Sequence, residues 1–262
     1  NLRPGEGERD CVGLGVGGAG AVWREVSGAA QMGCLRSRDR GGPPQIPRQG
    51  IVSRRDVFEG KGYLPITLLQ FSRGCRYRCN FCASAAYFES KQYCRPVEDV
   101  VREIKSQKRK LLFFVDDNIV ADFEKAKELC RALIPLKIKW VSQGSMDMLR
   151  DEELMGLLVK SGCLGMVIGF ESIREENLKE MNKSANRAKA SARYRDEIAA
   201  LRRWGLQTWA AFTVGHDGDT IESIRETCRF AIENKFTFAA FNILMPYPGT
   251  PLYDRLEREG RI

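Results

Sequence analysis

Three cysteines lie close together in one short stretch of the chain. Cys75, Cys79 and Cys82 have the spacing C-x3-C-x2-C and directly follow an apolar run at 66–71. Cysteine thiolates are the usual ligands of iron–sulfur clusters, which normally take four. With three cysteines, one iron would lack a protein ligand. An open coordination position is typical of a reactive metal site rather than a structural one.

Arginine side chains flank these thiols at positions 73, 76 and 78. Cationic neighbours lower the pKa of a thiol toward the thiolate form that binds metal, so we expect the arginines to act in this way. The alternative interpretation is a zinc knuckle or a set of free thiols. Zinc sites are usually built from four ligands, and no fourth ligand is close in sequence.

Composition limits the class of protein. The 262 residues suit one large domain, or one domain plus an appendage, and 43% are hydrophobic. No apolar run of about 18 residues predicts a membrane span. The nine cysteines are odd in number and spaced as for metal binding, which favours a reducing cytoplasmic location. Basic and acidic residues are interspersed and give a net charge of +8, so we do not expect nucleic acid as a partner. A single histidine, His216, argues against zinc hydrolase sites and Ser-His-Asp triads.

The texture of the chain changes along its length. We predict an irregular or disordered leader rich in Gly and Arg at residues 1–46, a linker at residues 47–62 and the folded core at residues 63–262. The leader contains a G-x-G-x-x-G match at 13–18. No predicted strand precedes it, so we do not interpret it as a dinucleotide site.

Regular alternation of apolar runs and helical patterns begins after the linker. Such alternation predicts an α/β fold with a parallel sheet. The predicted strands lie at 66–71, 111–115, 138–142, 164–170, 208–214 and 238–244. Helices are predicted to start near Pro96, Asp122, Asp151, Thr220 and Thr250. Six βα units form either an open doubly wound sheet or part of a barrel, and composition alone does not choose between them.

Polar residues follow several of these strands, where the working residues of parallel barrels lie. The second strand ends in Asp116, Asp117 and Asn118, and Ser145 follows the third. Further candidate site residues follow the fourth and fifth strands, and they are Glu171, Lys183, Arg187 and Gly215. Helix capping, loop polarity and surface solvation are the alternatives for these side chains. For His216 an exposed turn is the favoured interpretation.

The cysteine loop resembles the C-x3-C-x-Φ-C signature of the radical S-adenosylmethionine (SAM) superfamily, with Phe81 at the aromatic position Φ. The resemblance implies a partial (β/α)6 TIM-like barrel with a 4Fe–4S cluster on Cys75, Cys79 and Cys82. It also implies that SAM is held by the fourth iron. One electron then cleaves SAM to a 5′-deoxyadenosyl radical, which takes hydrogen from a small organic substrate.

The same resemblance implies roles for the polar residues at the strand ends. One of Asp116, Asp117 and Asn118 would accept hydrogen bonds from the ammonium of SAM, although the sequence departs here from the commoner Gly-Gly-Glu. The resemblance further assigns Glu171 to the ribose hydroxyls and Lys183 to the carboxylate. It also implies that the backbone at Gly215 approaches the adenine, while Ser145 would touch cofactor or substrate.

The strand ends and the turn at 246–251 are similar to those of one branch of the family, which includes methyltransferases and ring-forming enzymes. Its members usually carry a cobalamin-binding domain before the barrel, and the segment before residue 56 is too short to be one. We therefore expect a partial chain, with cobalamin used only if a missing domain supplies it. Flavodoxin or ferredoxin is the expected reductant. The alternative is a non-catalytic iron–sulfur or zinc protein on a degenerate barrel.

Overall fold

A computed structural model of the chain describes residues 50, 52–58, 60–183 and 190–262. The predicted leader at 1–46, the glycine motif at 13–18 and Arg187 lie outside these residues. The predicted domain boundaries therefore stay predictions. No helix in the described ranges has the length and apolar character needed to cross a membrane.

Six parallel strands form the central sheet, and each lies within or beside one of the predicted apolar runs. They are β1 (Thr67–Leu69), β4 (Leu111–Phe114), β5 (Lys139–Gly144), β6 (Cys163–Glu171), β7 (Gln207–Val214) and β8 (Phe238–Ile243). Their spatial order is β1-β4-β5-β6-β7-β8, so each strand pairs with the next strand of this sheet along the chain. The labels β2 and β3 belong to a separate pair of strands described below. A doubly wound sheet would reverse direction at a switch point, whereas strand order that follows chain order is typical of a barrel.

Helices connect the strands, and those predicted near Pro96, Asp122, Asp151, Thr220 and Thr250 begin directly after these residues. The helices are α1 (Ala83–Tyr87), α2 (Val97–Lys105), α3 (Phe123–Leu133), α4 (Glu152–Lys160), α5 (Glu175–Glu180), α6 (Ala190–Arg203), α7 (Ile221–Glu233) and α8 (Pro251–Arg258). The side chains of Asp122, Asp151, Thr220 and Thr250 each accept a backbone N–H in the first turn of the following helix. This satisfies donors that a helix start otherwise leaves unpaired.

The hydrophobic core lies between the sheet and these helices. Leu129 and Leu133 of α3 are fully buried, as are the strand residues Phe114 and Trp140, whose rings meet edge to face at 5.5 Å. Such rings bury a large apolar area and favour this offset geometry. This packing holds the strands in register and fixes where their carboxyl ends lie.

The other face of the sheet keeps apolar side chains partly exposed. Leu68 is 54% exposed, and the paired residues Trp209 and Phe238 are 38% and 60% exposed. Their neighbours in the same strands, such as Leu69 and Ala210, are buried in the core. Because side chains alternate across a strand, the exposed ones line the face opposite the helices.

A short antiparallel pair flanks the cysteine loop and was not predicted. Strand β2 (Ser72–Gly74) pairs with β3 (Gln92–Cys94), and α1 lies between them. A Cβ at Gly74 would overlap the carbonyl oxygen of Lys91, and the φ of Gly74 is +82°. Only glycine fits both the close approach and this backbone conformation. The pair therefore closes the base of the loop that starts at Cys75.

Candidate active site

The three cysteines lie on the loop between β2 and α1, next to the carboxyl end of the parallel sheet. Cys79 is buried, Cys75 and Cys82 are half-buried, and all three are free thiols. The loop thus keeps its sulfur atoms out of bulk water without using them in disulfides.

Asn80, in the middle of the loop, anchors it to two distant parts of the chain. Its backbone N–H donates to Met181 O at 3.0 Å, and its side-chain Nδ2 donates to Glu180 O at 2.7 Å. Its carbonyl oxygen accepts from Leu252 N–H at 3.0 Å. The end of α5 and the first turn of α8 therefore hold the cysteine loop in place.

Two of the flanking arginines, Arg73 and Arg76, bond to groups other than the thiols. Arg76 pairs with Asp147 at 2.8 Å, and Arg73 Nε donates to Gln70 at 2.7 Å. Burial raises the pKa of Cys79 to about 11 and also raises the pKa of Cys75. Burial disfavours a charged thiolate, and this effect outweighs the nearby cations.

Lys183 is the cation that acts on the buried thiols. Its charge lowers the pKa of Cys79 and of Cys75, against the larger effect of burial. The neighbouring charge of Cys82 raises the pKa of both thiols. Cys75 and Cys79 thus interact with each other, with Cys82 and with the ammonium group of Lys183.

Asn118 is the strand-end residue in contact with a cysteine. Its Nδ2 lies 3.6 Å from Cys75 Sγ and 3.0 Å from Ser145 Oγ, and its Oδ1 accepts from Val120 N–H at 3.2 Å. Ser145 Oγ in turn bonds to Asp147 Oδ1. The predicted residues Asn118 and Ser145 therefore belong to one network that reaches the cysteine loop.

Asp147 closes this network and was not predicted. It is buried and accepts from Arg76 at 2.8 Å and from the hydroxyl of Tyr77. Arg76 and Tyr77 are the two residues that follow Cys75. A buried carboxylate needs such partners, and here they fix the first half of the loop.

The two aspartates at the end of β4 hold the chain around the loop. Asp116 is fully buried and accepts from the N–H groups of Phe71 and Ser72 and from the hydroxyl of Ser72. Burial raises its pKa to about 6, against these hydrogen bonds. Asp117 accepts from Gly74 N–H at 2.7 Å and from the hydroxyl of Ser84. Asp116 thus accepts three hydrogen bonds, whereas Asp117 accepts two and lies beside the cysteine loop.

Glu171 and Lys183 form an ion pair at the end of β6. Lys183 Nζ lies 2.9 Å from Glu171 Oε1, and Thr213 Oγ1 donates to Glu171 Oε2 at 2.7 Å. Glu171 has a φ of +62°, beside an irregularity in the pairing of β6 with β7. A Cβ at Gly169 would overlap Glu171 Oε1 and lie 2.9 Å from Lys183 Nζ. Glycine at 169 leaves the space that the ion pair fills.

The structure also describes three further residues from the sequence analysis. Phe81 is partly buried and packs against the hydrophobic core. Gly215 follows β7 with a φ of +99°, and its N–H donates to Asp219 Oδ2 at 2.9 Å. His216 is only 4% exposed, so the expectation of an exposed histidine is wrong. Neither of its ring nitrogens has a hydrogen-bond partner among the described residues.

These residues fit an iron–sulfur cluster in their chemistry. Three free cysteines lie in a sheltered loop, with an amide N–H directed at one sulfur and a buried ammonium near two. Positive iron would offset the burial that raises the pKa of Cys75 and of Cys79. In the described ranges no three His, Cys, Asp or Glu side chains converge as ligands of a single metal ion. A 4Fe–4S cluster does not need that convergence, because each cysteine binds a different iron.

Comparison with known proteins gives a family for this arrangement. The model of the radical SAM superfamily matches residues 69–231. The bacteriochlorophyllide d C-12(1)-methyltransferase of Chlorobaculum tepidum is 30% identical over 207 residues, which are 77% of this chain and 45% of that protein. The anaerobic magnesium-protoporphyrin IX monomethyl ester cyclase of Cereibacter sphaeroides is 26% identical, over 82% of this chain and 36% of that protein.

Solved structures show the same fold. The radical SAM methyltransferase TsrM from Kitasatospora setae, with cobalamin and a 4Fe–4S cluster bound, matches with a TM-score of 0.68 and 21% identity. The match covers 83% of this chain and 44% of TsrM. This likeness confirms the predicted partial barrel.

The chain spans less than half the length of these curated relatives. The family match nevertheless covers most of it, including all three cysteines and the ends of β4, β5, β6 and β7. The family uses a 4Fe–4S cluster and SAM, for which the cysteine loop offers the ligands. The chain therefore belongs to the radical SAM superfamily.

Proposed function

We propose that this chain is the catalytic core of a radical SAM enzyme, with a 4Fe–4S cluster on Cys75, Cys79 and Cys82. The observation that carries the proposal is the shared position of three free cysteines and Lys183 on one sheltered rim of a parallel sheet. When bound, the cluster supplies one electron that splits SAM into methionine and a 5′-deoxyadenosyl radical. The chain itself supplies binding, orientation and exclusion of water.

The residues around the cysteines offer contacts for each polar part of SAM. Lys183 would pair with the carboxylate, and each oxygen of Glu171 keeps a lone pair for a ribose hydroxyl. We assign the ammonium to Asp117, because Asp116 already accepts three hydrogen bonds in a fully buried position. Gly215 remains the proposed point of approach for the adenine.

We further propose a small organic substrate, which the enzyme methylates or cyclises. Relatives with these two outcomes include the methyltransferase and the cyclase described above. Cobalamin would take part if a domain outside these residues supplies it. A flavodoxin or ferredoxin in the reducing cytoplasm would deliver the electron.

Anaerobic reconstitution tests the proposal directly. With iron and sulfide, the chain should bind about four irons, and reduction by dithionite should then release 5′-deoxyadenosine from SAM. Cys79→Ala should lose cluster and release together. Cys228→Ala is the matched control, because Cys228 lies on α7, outside the cysteine loop.

The non-catalytic alternative makes the opposite prediction. It expects stoichiometric zinc, or a cluster that never cleaves SAM. Either result with the wild-type chain would overturn the proposed function. The relatives named above are enzymes, which favours the catalytic outcome.

A further inference from the structure

We propose that Asn118 is a positioning residue that tunes the cluster, because its side-chain amide donates a hydrogen bond to the sulfur of Cys75. The inference rests on the proposed function, since it requires a cluster on that cysteine. It gives Asn118 a role toward the iron–sulfur group instead of the expected role toward the ammonium of SAM.

The orientation of the amide carries the first step. Asn118 Oδ1 accepts from Val120 N–H at 3.2 Å, which directs Nδ2 the other way. Nδ2 then lies 3.6 Å from Cys75 Sγ, a distance suited to a hydrogen bond to sulfur, and 3.0 Å from Ser145 Oγ. An amide nitrogen has two N–H groups, so both bonds form at once.

Burial and neighbouring bonds keep Asn118 in this orientation. The residue is 4% exposed, and its backbone carbonyl accepts from Gln92 Nε2 at 2.9 Å. Ser145 is fixed by Asp147, which Arg76 and Tyr77 also hold. The donor is thus held before any cluster binds, and its partner Cys75 is the cysteine adjacent to this Arg76–Tyr77 pair.

A hydrogen bond to a ligating thiolate changes the electronics of an iron–sulfur centre. The N–H withdraws electron density from sulfur, which stabilises the reduced cluster and raises its reduction potential. Removing the donor should therefore make the potential more negative. A group that only contacts SAM would leave the potential of the SAM-free cluster unchanged.

The test uses the reconstituted chain without SAM. We would measure the midpoint potential of the cluster by redox titration followed by electron paramagnetic resonance, and count iron in the same samples. Asn118→Leu removes the donor at similar volume. Asn118→Ser keeps an oxygen for Val120 N–H but cannot reach the sulfur, so it serves if the leucine variant fails to fold. Both variants should have a lower potential than the wild type.

One control separates this effect from general damage. Asn234→Ala removes a buried amide that donates to Phe230 O at 2.8 Å, outside the network around Cys75, and should leave the potential unchanged.

The outcomes are distinct. A wild-type chain that assembles no cluster would refute the proposed function itself. Loaded variants at position 118 whose potential equals that of the wild type would refute the tuning role alone. A weaker affinity for SAM with no change in potential would also refute it, and would return Asn118 to the role of SAM ligand.

Discussion

Gly169 controls the ion pair at the end of β6 through the side chain that it lacks. A Cβ there would overlap Glu171 Oε1 and lie 2.9 Å from Lys183 Nζ. Both atoms are the far ends of flexible side chains, which can move aside. The change should therefore disturb the proposed SAM site more than the stability of the fold.

We predict that Gly169→Ala weakens SAM binding about tenfold while the free energy of unfolding falls by less than about 1 kcal/mol. The loss corresponds to one charge-assisted hydrogen bond. Equilibrium binding of SAM to the reconstituted chain and denaturant unfolding would measure the two effects.

Gly156→Ala is the control for this experiment. A Cβ at Gly156, within α4, would meet no atom within 4 Å, so the substitution should leave SAM binding intact and stabilise the helix slightly. Equal SAM affinity in the Gly169→Ala chain would contradict the role given to the ion pair.

Sequence reasoning found some site residues because they carry local signals. The three cysteines have a diagnostic spacing, and Glu171 follows a long apolar strand at its carboxyl end. Asp147 and Thr213 carry no such signal, because their roles come from contacts with residues far away in sequence. Asp147 contacts Tyr77, which lies 70 positions earlier, and Thr213 contacts Glu171, which lies 42 positions earlier. The burial of His216 was missed for the same reason.

At the scale of elements, the cysteine loop depends on helices made from distant sequence. The loop side chain of Asn80 donates to Glu180 O, and its backbone meets Met181 and Leu252. Asn182 Nδ2 adds a bond to the carbonyl of Arg78 at 2.8 Å. The end of α5 and the start of α8 therefore hold the cysteine loop in position.

We predict that Asn80→Ala lowers the free energy of unfolding by about 1 kcal/mol, the usual contribution of one hydrogen bond. It should also speed the loss of iron to a chelator, because the loop loses its side-chain anchor. Denaturant unfolding and the rate of iron release would measure this.

Asn234→Ala serves here as a matched control. It removes a similar bond from side chain to backbone at the end of α7, away from the cysteines. It should cost similar stability but release iron at the wild-type rate. Equally fast release from both variants would show that the anchor has no local effect on the cluster.

Elements with clear burial patterns were predictable, and short ones were not. The strand β6 has nine residues and α3 shows buried positions at helical spacing, so both appear in the sequence pattern. The paired strands β2 and β3 have three residues each. Their formation depends on the close approach at Gly74, which no periodicity reveals.

For the whole molecule, the parallel direction of the six sheet strands places their carboxyl ends on one rim. The cysteine loop, Asn118, Glu171 and Lys183 meet there although they follow different strands. The apolar packing between the sheet and the helices α2, α3 and α4 does not include Cys75, Cys79 or Cys82. Cluster binding and core stability should therefore be largely separate.

We predict that removing the cluster leaves the sheet and α3 protected from hydrogen exchange. Protection should fall in the cysteine loop, in residues 180–183 and in the first turn of α8, which the hydrogen bonds of Asn80 connect. Local opening of this kind costs less than global unfolding. Hydrogen-exchange mass spectrometry of the loaded and metal-free chains would measure it.

A uniform loss of protection across the sheet would contradict this prediction. It would mean that the metal supports the whole fold, as in small domains that are unfolded without metal. The extensive buried core of this chain makes that outcome unexpected.

The three-way anchoring of Asn80 also bears on how the protein is made. During synthesis the three cysteines leave the ribosome long before Leu252, whose N–H donates a hydrogen bond to the carbonyl oxygen of Asn80. Until then the cysteine loop lacks one of the three hydrogen bonds of Asn80, and its thiols are more accessible to oxidants or to the wrong metal. Cellular factors that deliver iron and sulfide would thus meet a fully anchored cysteine loop only late in translation.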